Sequence, residues 1–326
     1  MADVDTPPNV RCNRMGQSSL PTPSSAPTSR DSHPLVSIGV PIYNEERHLR
    51  SMLDSILAQD YKDFEIIISD NASTDDTALI CEEYSGKDPR IHYYRSQANL
   101  GSLPNFNRAF ALASGEFFFW AGGHDLYQPS FISSCLKVIM EDPAIVLCYA
   151  QTSRTDPPGR AVAFEWHDLD TRGITSPSAR LKRVLWQYGA FAFFGLYRTS
   201  ALRQVPLQRV AAPDIILLAE LSLLGTFAHL PEPLIWARNA ADHGDWRAHL
   251  EKHFKHTGTG WSAQMLFWRM LTALISAVRR RVPGLPERIV AGWWILVCVT
   301  LRYHWVLLGL LSVALRGRSP AQKLTQ

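Results

Sequence analysis

From Pro34 to Ala150 the chain alternates two hydrophobic periods, and this alternation limits its fold more than any other feature. Leu35–Val40 is apolar at nearly every position and stops at Pro41. Phe64–Ser69, Ile91–Tyr94, Glu116–Trp120 and Ile145–Tyr149 are further strand-length runs rich in β-branched and aromatic residues. Between the first two, Leu49, Met52, Leu53, Ile56 and Leu57 recur at i, i+3, i+4, the one-sided stripe of a helix resting on a core. Asn44 is placed to cap that helix, with Glu45 and Glu46 complementing the dipole in its first turn. Further helices are expected through Ile80, Cys81 and Tyr84, capped by Ser73 or Thr74, then over Pro104–Ala113 and Phe131–Met140. Doubly apolar strands separated by helices imply an α/β fold with a mostly parallel sheet and right-handed crossovers. Beyond Ala150 the pattern weakens. Residues 151–177 read as polar loop, and from Ala179 helices dominate.

Two strands end in acid-bearing turns. Phe64–Ser69 runs into Asp70, and Glu116–Trp120 runs through Ala121, Gly122 and Gly123 into His124 and Asp125. Open α/β sheets bind ligands at the carboxyl ends of their strands. A dinucleotide-binding enzyme is disfavoured, because the turn after the first strand lacks GxGxxG. Glu45 and Glu46 would also repel a pyrophosphate docked at that helix. No P-loop is present. A nucleotide can still bind through base and ribose, with Tyr43 against a ring and Glu45 or Asp70 accepting hydrogen bonds. Its diphosphate then needs a counter-charge. Mg²⁺ or Mn²⁺ held by Asp125 supplies one, since these cations favour carboxylate and phosphate oxygens together.

The ordered set Val36–Glu45 (VSIGVPIYNE), Ser69–Thr77 (SDNASTDDT), Asn99-Leu-Gly101, Asn107, Ala113–Glu116 (ASGE) and Trp120–Asp125 resembles the family 2 glycosyltransferases of the GT-A fold. The resemblance runs in order over about residues 35–245. It implies a nucleotide-sugar donor, a divalent cation and inversion at the anomeric carbon. It places Pro41, Tyr43, Glu45 and Asp70 around the nucleoside, with Asn99 and Asn107 on the nucleotide-sugar side, and Asp125 on the metal-binding acidic motif. One departure stands out. The family usually has two or three acidic residues there, whereas this chain has Gly122, Gly123 and His124 before Asp125. A neutral imidazole binds Mn²⁺ but suits Mg²⁺ poorly, so His124 is either a second ligand or a hydrogen-bond donor to ribose or diphosphate.

In the second half, Ala212–Glu220 (APDIILLAE) matches the segment that supplies the family's general base, with Asp214 in that position. A burying apolar run after it is expected to raise its pKa. Glu220 lies across the same helix and is a poor second candidate. Phe193–Arg198 (FFGLYR) resembles the floor of the acceptor pocket, its aromatics serving either a sugar face or the core. Arg238, after the Leu230–Leu234 turn, fits a phosphate contact or a surface ion pair. His249, His253 and His256 have the spacing of metal ligands, but the intervening Lys252 and Lys255 favour a solvated basic face.

The resulting division is a tail over 1–33, a glycosyltransferase domain over 34–245 with a nucleotide-sugar half (34–150) and an acceptor half (151–245), and a helical region over 246–326. The tail is rich in Pro, Ser and Thr and reads as disordered. The expected reaction is transfer from a nucleotide-diphosphate sugar, UDP-sugar favoured, to a glycan or lipid-linked acceptor. The alternatives are a nucleotide-sugar-binding protein with a degenerate site, and an integral membrane transferase acting on a polyprenyl phosphate. A net charge of +3 gives no pointer to nucleic acid. The five cysteines are odd in number and lack CxxC spacing, which fits a reduced, cytoplasmic setting. Ile289–Leu315 is apolar but interrupted by Arg302 and His304. It reads as a pair of buried or amphipathic helices, as an interfacial hairpin on an anionic leaflet at the inner face of the membrane, or as one spanning helix.

Overall fold

The computed structural model describes residues 36–156, 160–163, 169–187, 190–205, 207, 210, 212–238 and 263–316. Strand β1 (Val36–Ile42) lies between β2 (Phe64–Asp70) and β4 (Phe117–Trp120), parallel to both. β3 (Ile91–Arg95) continues the parallel sheet beyond β2. On the other side, β8 (Leu196–Arg198) runs antiparallel to both β4 and β6 (Ile145–Asp156). β6 pairs in parallel with β9 (Thr226–Ala237), and β5 (Leu126–Tyr127) closes the far edge against β9. The order is β3-β2-β1-β4-β8-β6-β9-β5, with β7 (Arg160–Ala163) paired to β6. The sheet is thus mixed but mostly parallel, as expected.

The strand pattern sorts side chains onto two faces. In β4, Phe117 and Phe119 join one core with Ile38, Val40, Met52, Leu53, Ile56 and Phe131. Phe118 and Trp120 point the other way, into a core with Tyr197, Leu181, Val184 and Ile216. The first core lies under α1 (Leu49–Leu57), α2 (Thr77–Lys87) and α4 (Phe131–Glu141). The second face receives α3 (Ser102–Ala111), α5 (Pro177–Gln187) and α7 (Pro213–Ser222). β1 turns small residues toward α3. A Cβ at Gly39 would sit 2.7 Å from the Phe118 ring and 3.2 Å from Ala109 Cβ, so glycine there sets how closely α3 approaches. A short helix, α6 (Thr199–Leu202), follows β8, and α8 (Ala263–Arg281) and α9 (Leu285–Arg316) pack through Met270, Leu274, Ala291 and Ile295 onto the second core.

Several local expectations are corrected. Asn44 does not cap α1. It has left-handed backbone, φ 56°, and its side chain accepts the Thr74 N–H at 2.8 Å. Spent on the neighbouring turn, it leaves the helix to begin at Leu49 behind His48, with no acidic residue in the first turn. Ser73 and Thr74 likewise serve that turn, and α2 begins at Thr77 after Asp76. Residues 151–177 are not all loop, since β6 runs to Asp156 and β7 follows. The segment Leu230–Leu234 is not a turn but the middle of β9. Its two prolines cannot donate to a ladder, and the pairing with β6 shifts register around Gln151, where a bulge accommodates them.

At the carboxyl end α9 is one continuous helix of 32 residues rather than a pair or a hairpin. No described helix is long and apolar enough to cross a membrane.

Candidate active site

β1, β2 and β4 are parallel, so their carboxyl ends reach one edge of the sheet. The two strand-end acids arrive there in different states. Asp70 is fully buried and surrounded by donors. Its Oδ1 accepts the Ser73 N–H at 2.9 Å and the Ser73 hydroxyl at 2.6 Å. Its Oδ2 accepts the Tyr93 hydroxyl at 2.9 Å and lies 3.5 Å from Arg95 Nε. Burial and this hydrogen bond push the Tyr93 phenol well up.

Asp125 is also buried, but its Oδ1 accepts the backbone N–H of Arg238 at 3.2 Å. Burial pushes its carboxyl up, with His124 opposing. Gly122 and Gly123 make the turn possible. A Cβ at Gly122 would meet Asp125 Oδ2 at 2.5 Å, and one at Gly123 would meet Ile42 at 2.8 Å and Glu45 Cγ at 3.0 Å. The space left by two missing side chains is filled by two carboxylate-bearing ones.

Glu45 Oε1 lies 3.1 Å from His124 Nδ1. With the carboxylate as acceptor, Nδ1 carries the proton, and Nε2 stands 3.9 Å from Asp125 Oδ1. The Glu45 hydrogen bond holds the His124 imidazolium above the usual histidine range. Arg238, at the end of β9, donates from Nη1 to Ser51 Oγ at 2.7 Å and approaches His48 Nδ1 at 3.4 Å. Burial and this guanidinium push His48 down. Glu45, His48, Ser51, His124, Asp125 and Arg238 thus form one group. His48 and Ser51 were not singled out in the sequence. Only Ser51 lies on α1, with His48 just before the helix and Glu45 in the preceding turn, so no helical spacing marked them as a set.

Other expected residues play structural parts. Asn99 Oδ1 accepts from Asn71 Nδ2 at 2.7 Å and from the Gly101 N–H at 2.9 Å, shaping the loop before α3. Asn107 does not join the strand-end group. Its Nδ2 donates to the Leu207 carbonyl at 3.2 Å. Asn105, two residues earlier and so on another side of α3, is the buried asparagine of this helix. It donates to the carbonyls of Ile42 and Ser69 and ties β1 to β2 at the edge. Pro41 is half-buried and Tyr43 exposed beside that edge.

Asp214 stands in the first turn of α7, and every residue from Ile215 to Ser222 is buried. Burial and the Asp214 charge push the Tyr197 phenol up. Phe193 stacks on Trp120 with centroids 4.9 Å apart, and the Tyr197 hydroxyl donates to the Phe193 carbonyl at 2.8 Å. Both rings are core. Glu220 is buried against Arg280 at 3.3 Å and Arg281 at 3.8 Å, an anchor for α8. His249, His253 and His256 lie outside the described residues.

Residues 37–205 match the family model of Glycosyl transferase family 2, more than half of the chain. The chain belongs to this family and is a glycosyltransferase. The chondroitin synthase of Pasteurella multocida is 26% identical over 206 residues, 61% of this chain and 20% of that protein. A glycosyltransferase of Rickettsia typhi is 33% identical over 132 residues, 40% of each chain. This chain therefore spans only about a fifth of the length of the Pasteurella synthases it matches. Among solved structures, S. aureus TarS 1–349 in complex with UDP-GlcNAc superimposes with TM-score 0.60 at 18% identity, over 82% of this chain and 73% of that one. The fold of this family 2 member is of the GT-A type.

Proposed function

We propose that this glycosyltransferase moves a sugar, with inversion, from a nucleoside-diphosphate sugar to a hydroxyl of a glycan or lipid-linked acceptor in polysaccharide or cell-envelope synthesis. A UDP-sugar is the favoured donor, in keeping with the ligand of the TarS structure. The observation that carries the reading is the buried Asp125 carboxylate, set beside His124 and Arg238 at the carboxyl edge of the sheet.

A divalent cation fits these residues. Asp125 is desolvated and its raised proton affinity marks a charge in want of compensation. His124 presents Nε2 toward it while Glu45 fixes the other ring nitrogen, the usual outer support of a metal-bound imidazole. Among the described residues no group of three His, Cys, Asp or Glu could hold a metal. Asp125 and His124 would therefore share the cation with diphosphate oxygens, as Mn²⁺ and Mg²⁺ sites in nucleotide enzymes do. Bound there, the cation neutralises charge developing on the leaving diphosphate.

The chain's own residues supply the rest. Tyr43 stacks on the base, and Pro41, Asp70 and Asn99 shape its pocket. Arg238 faces the phosphates. Asp214 takes the proton from the acceptor hydroxyl as its oxygen attacks the anomeric carbon. The new C–O bond forms on the face opposite the leaving group, and the diphosphate departs with the electron pair of the broken bond.

A thermal-shift series with UDP, GDP and CDP, with and without Mn²⁺, tests the donor. At a hundred times its dissociation constant the preferred nucleotide stabilises the protein by about 2.7 kcal/mol. Equal shifts with and without Mn²⁺ would count against the cation. Asp214→Asn is expected to lower kcat at least about a hundredfold with donor affinity unchanged. Lost donor affinity would assign Asp214 to binding.

A further inference from the structure

We propose that the outer face of α9, from Leu285 to Leu301, docks onto an anionic lipid surface and lies in its plane. The helix is apolar on two sides. Its inner side buries Ala291, Ile295, Cys298 and Val299 against Met270, Leu274, Ile215 and Leu185. Its outer side presents Leu285, Ile289, Trp293 and Leu296, each more than half exposed. These recur at intervals of four, four and three, a single stripe about 17 Å long. Trp268 and Ile275 on α8 are exposed as well. An apolar stripe on a folded helix whose opposite side is already packed has no role within the chain's core.

The charges around the stripe choose the occupant. From Trp268 to Leu301 the charged residues are Arg269, Arg279, Arg280, Arg281 and Arg288 against Glu287. Glu287 accepts the Ser176 hydroxyl at 2.9 Å, so the acid turns toward the protein. Arg281 and Arg280 are partly engaged by Glu220, whereas Arg279 is exposed. Lys182 of α5 lies 3.9 Å from the centroid of the Trp294 ring, adding a cation beside α9. Apolar residues and tryptophan ringed by arginine suit the boundary of an anionic leaflet. A second copy of the chain would bring two basic rims together, which opposes that pairing. No described helix is long and apolar enough to cross a membrane, and α5, α7 and α8 hold the inner side.

Flotation of the full chain with phosphatidylcholine vesicles, with or without phosphatidylglycerol, tests the proposal. The protein is expected to float with the phosphatidylglycerol vesicles, less so as salt rises, and to stay behind with phosphatidylcholine alone. Trp293→Glu with Leu296→Glu should reduce the bound fraction at least about tenfold while circular dichroism and Tm hold, because both positions are exposed. Ile289→Ser is the milder check should that pair disturb folding, with a loss of about threefold. Equal flotation of parent and variants would overturn the proposal, as would failure of the parent to bind phosphatidylglycerol vesicles. So would a lipid-free dimer that the glutamate pair dissociates, since the face would then belong to a second copy.

Discussion

Asp70 and Asp125 stand at comparable places, each just at the end of a buried parallel strand on the same edge of the sheet, and both are buried. Asp70 is met by two hydroxyls, a backbone N–H and an arginine, all supplied by residues near in structure. Asp125 is met by a backbone N–H and lies within reach of an imidazole, on a turn stripped to glycine. A buried charge with ample donors holds a fold together, whereas one left short of them stores affinity for a cation. Type and burial alone did not separate these two carboxylates. Their neighbours did.

The comparison breaks most visibly in turnover. Asp125→Asn keeps an acceptor for the Arg238 N–H but removes the charge, and donor turnover should fall at least about a hundredfold. Activity near that of the parent would make the two acids alike. The next effect is on stability and concerns the other acid. Asp70→Ala leaves Tyr93, Ser73 and Arg95 without their shared acceptor, and urea unfolding should show a loss of about 3 kcal/mol. Asp125→Asn should move stability the opposite way. The folded-state pKa of Asp125 is raised, so its ionised form costs stability above that pKa, and the cost vanishes at pH below the unfolded value. At neutral pH and without metal, the variant should melt higher than the parent, by up to about 4 °C.

The smallest effect is in pH dependence. His124 has a raised pKa, so its pairing with Glu45 stabilises the metal-free protein fully below pH 6.5, and that contribution fades as pH rises through the raised value. Proton and cation compete for Nε2, so stabilisation by Mn²⁺ with nucleotide should grow over the same rise. Glu45→Gln removes the carboxylate that raises the pKa, and the midpoint of this growth should move acidward. A midpoint that stays in place would remove Glu45 from the cation's support.

Much of this edge was legible beforehand because strand ends are marked by abrupt changes of period. β2 ends as its apolar run gives way to Asp70, and β4 ends at Trp120, with Asp125 reached through a four-residue turn; β1 runs two residues past Val40, to Ile42, ahead of Glu45. What escaped were groups joined by tertiary geometry. His48 and Ser51 acquire meaning through Arg238, nearly two hundred residues away, and Asn105 through two carbonyls on different strands. Asn44 has the composition of a helix cap, but its side chain found a better partner in Thr74. β9 was hidden by Pro231 and Pro233, which signal turns unless a bulge opposite them absorbs the missing donors. The second half was least readable, since Asp214 and the Phe193–Arg198 segment belong to a layer of helices and short strands without a repeating pattern.

The glycine pair also limits what this turn can carry. An acidic side chain placed at Gly123 would collide with Ile42 and Glu45. A side chain at position 123 and the present Glu45 conformation therefore exclude each other. Admitting a side chain there takes movement of Ile42 or Glu45, and Glu45 is the residue that orients His124.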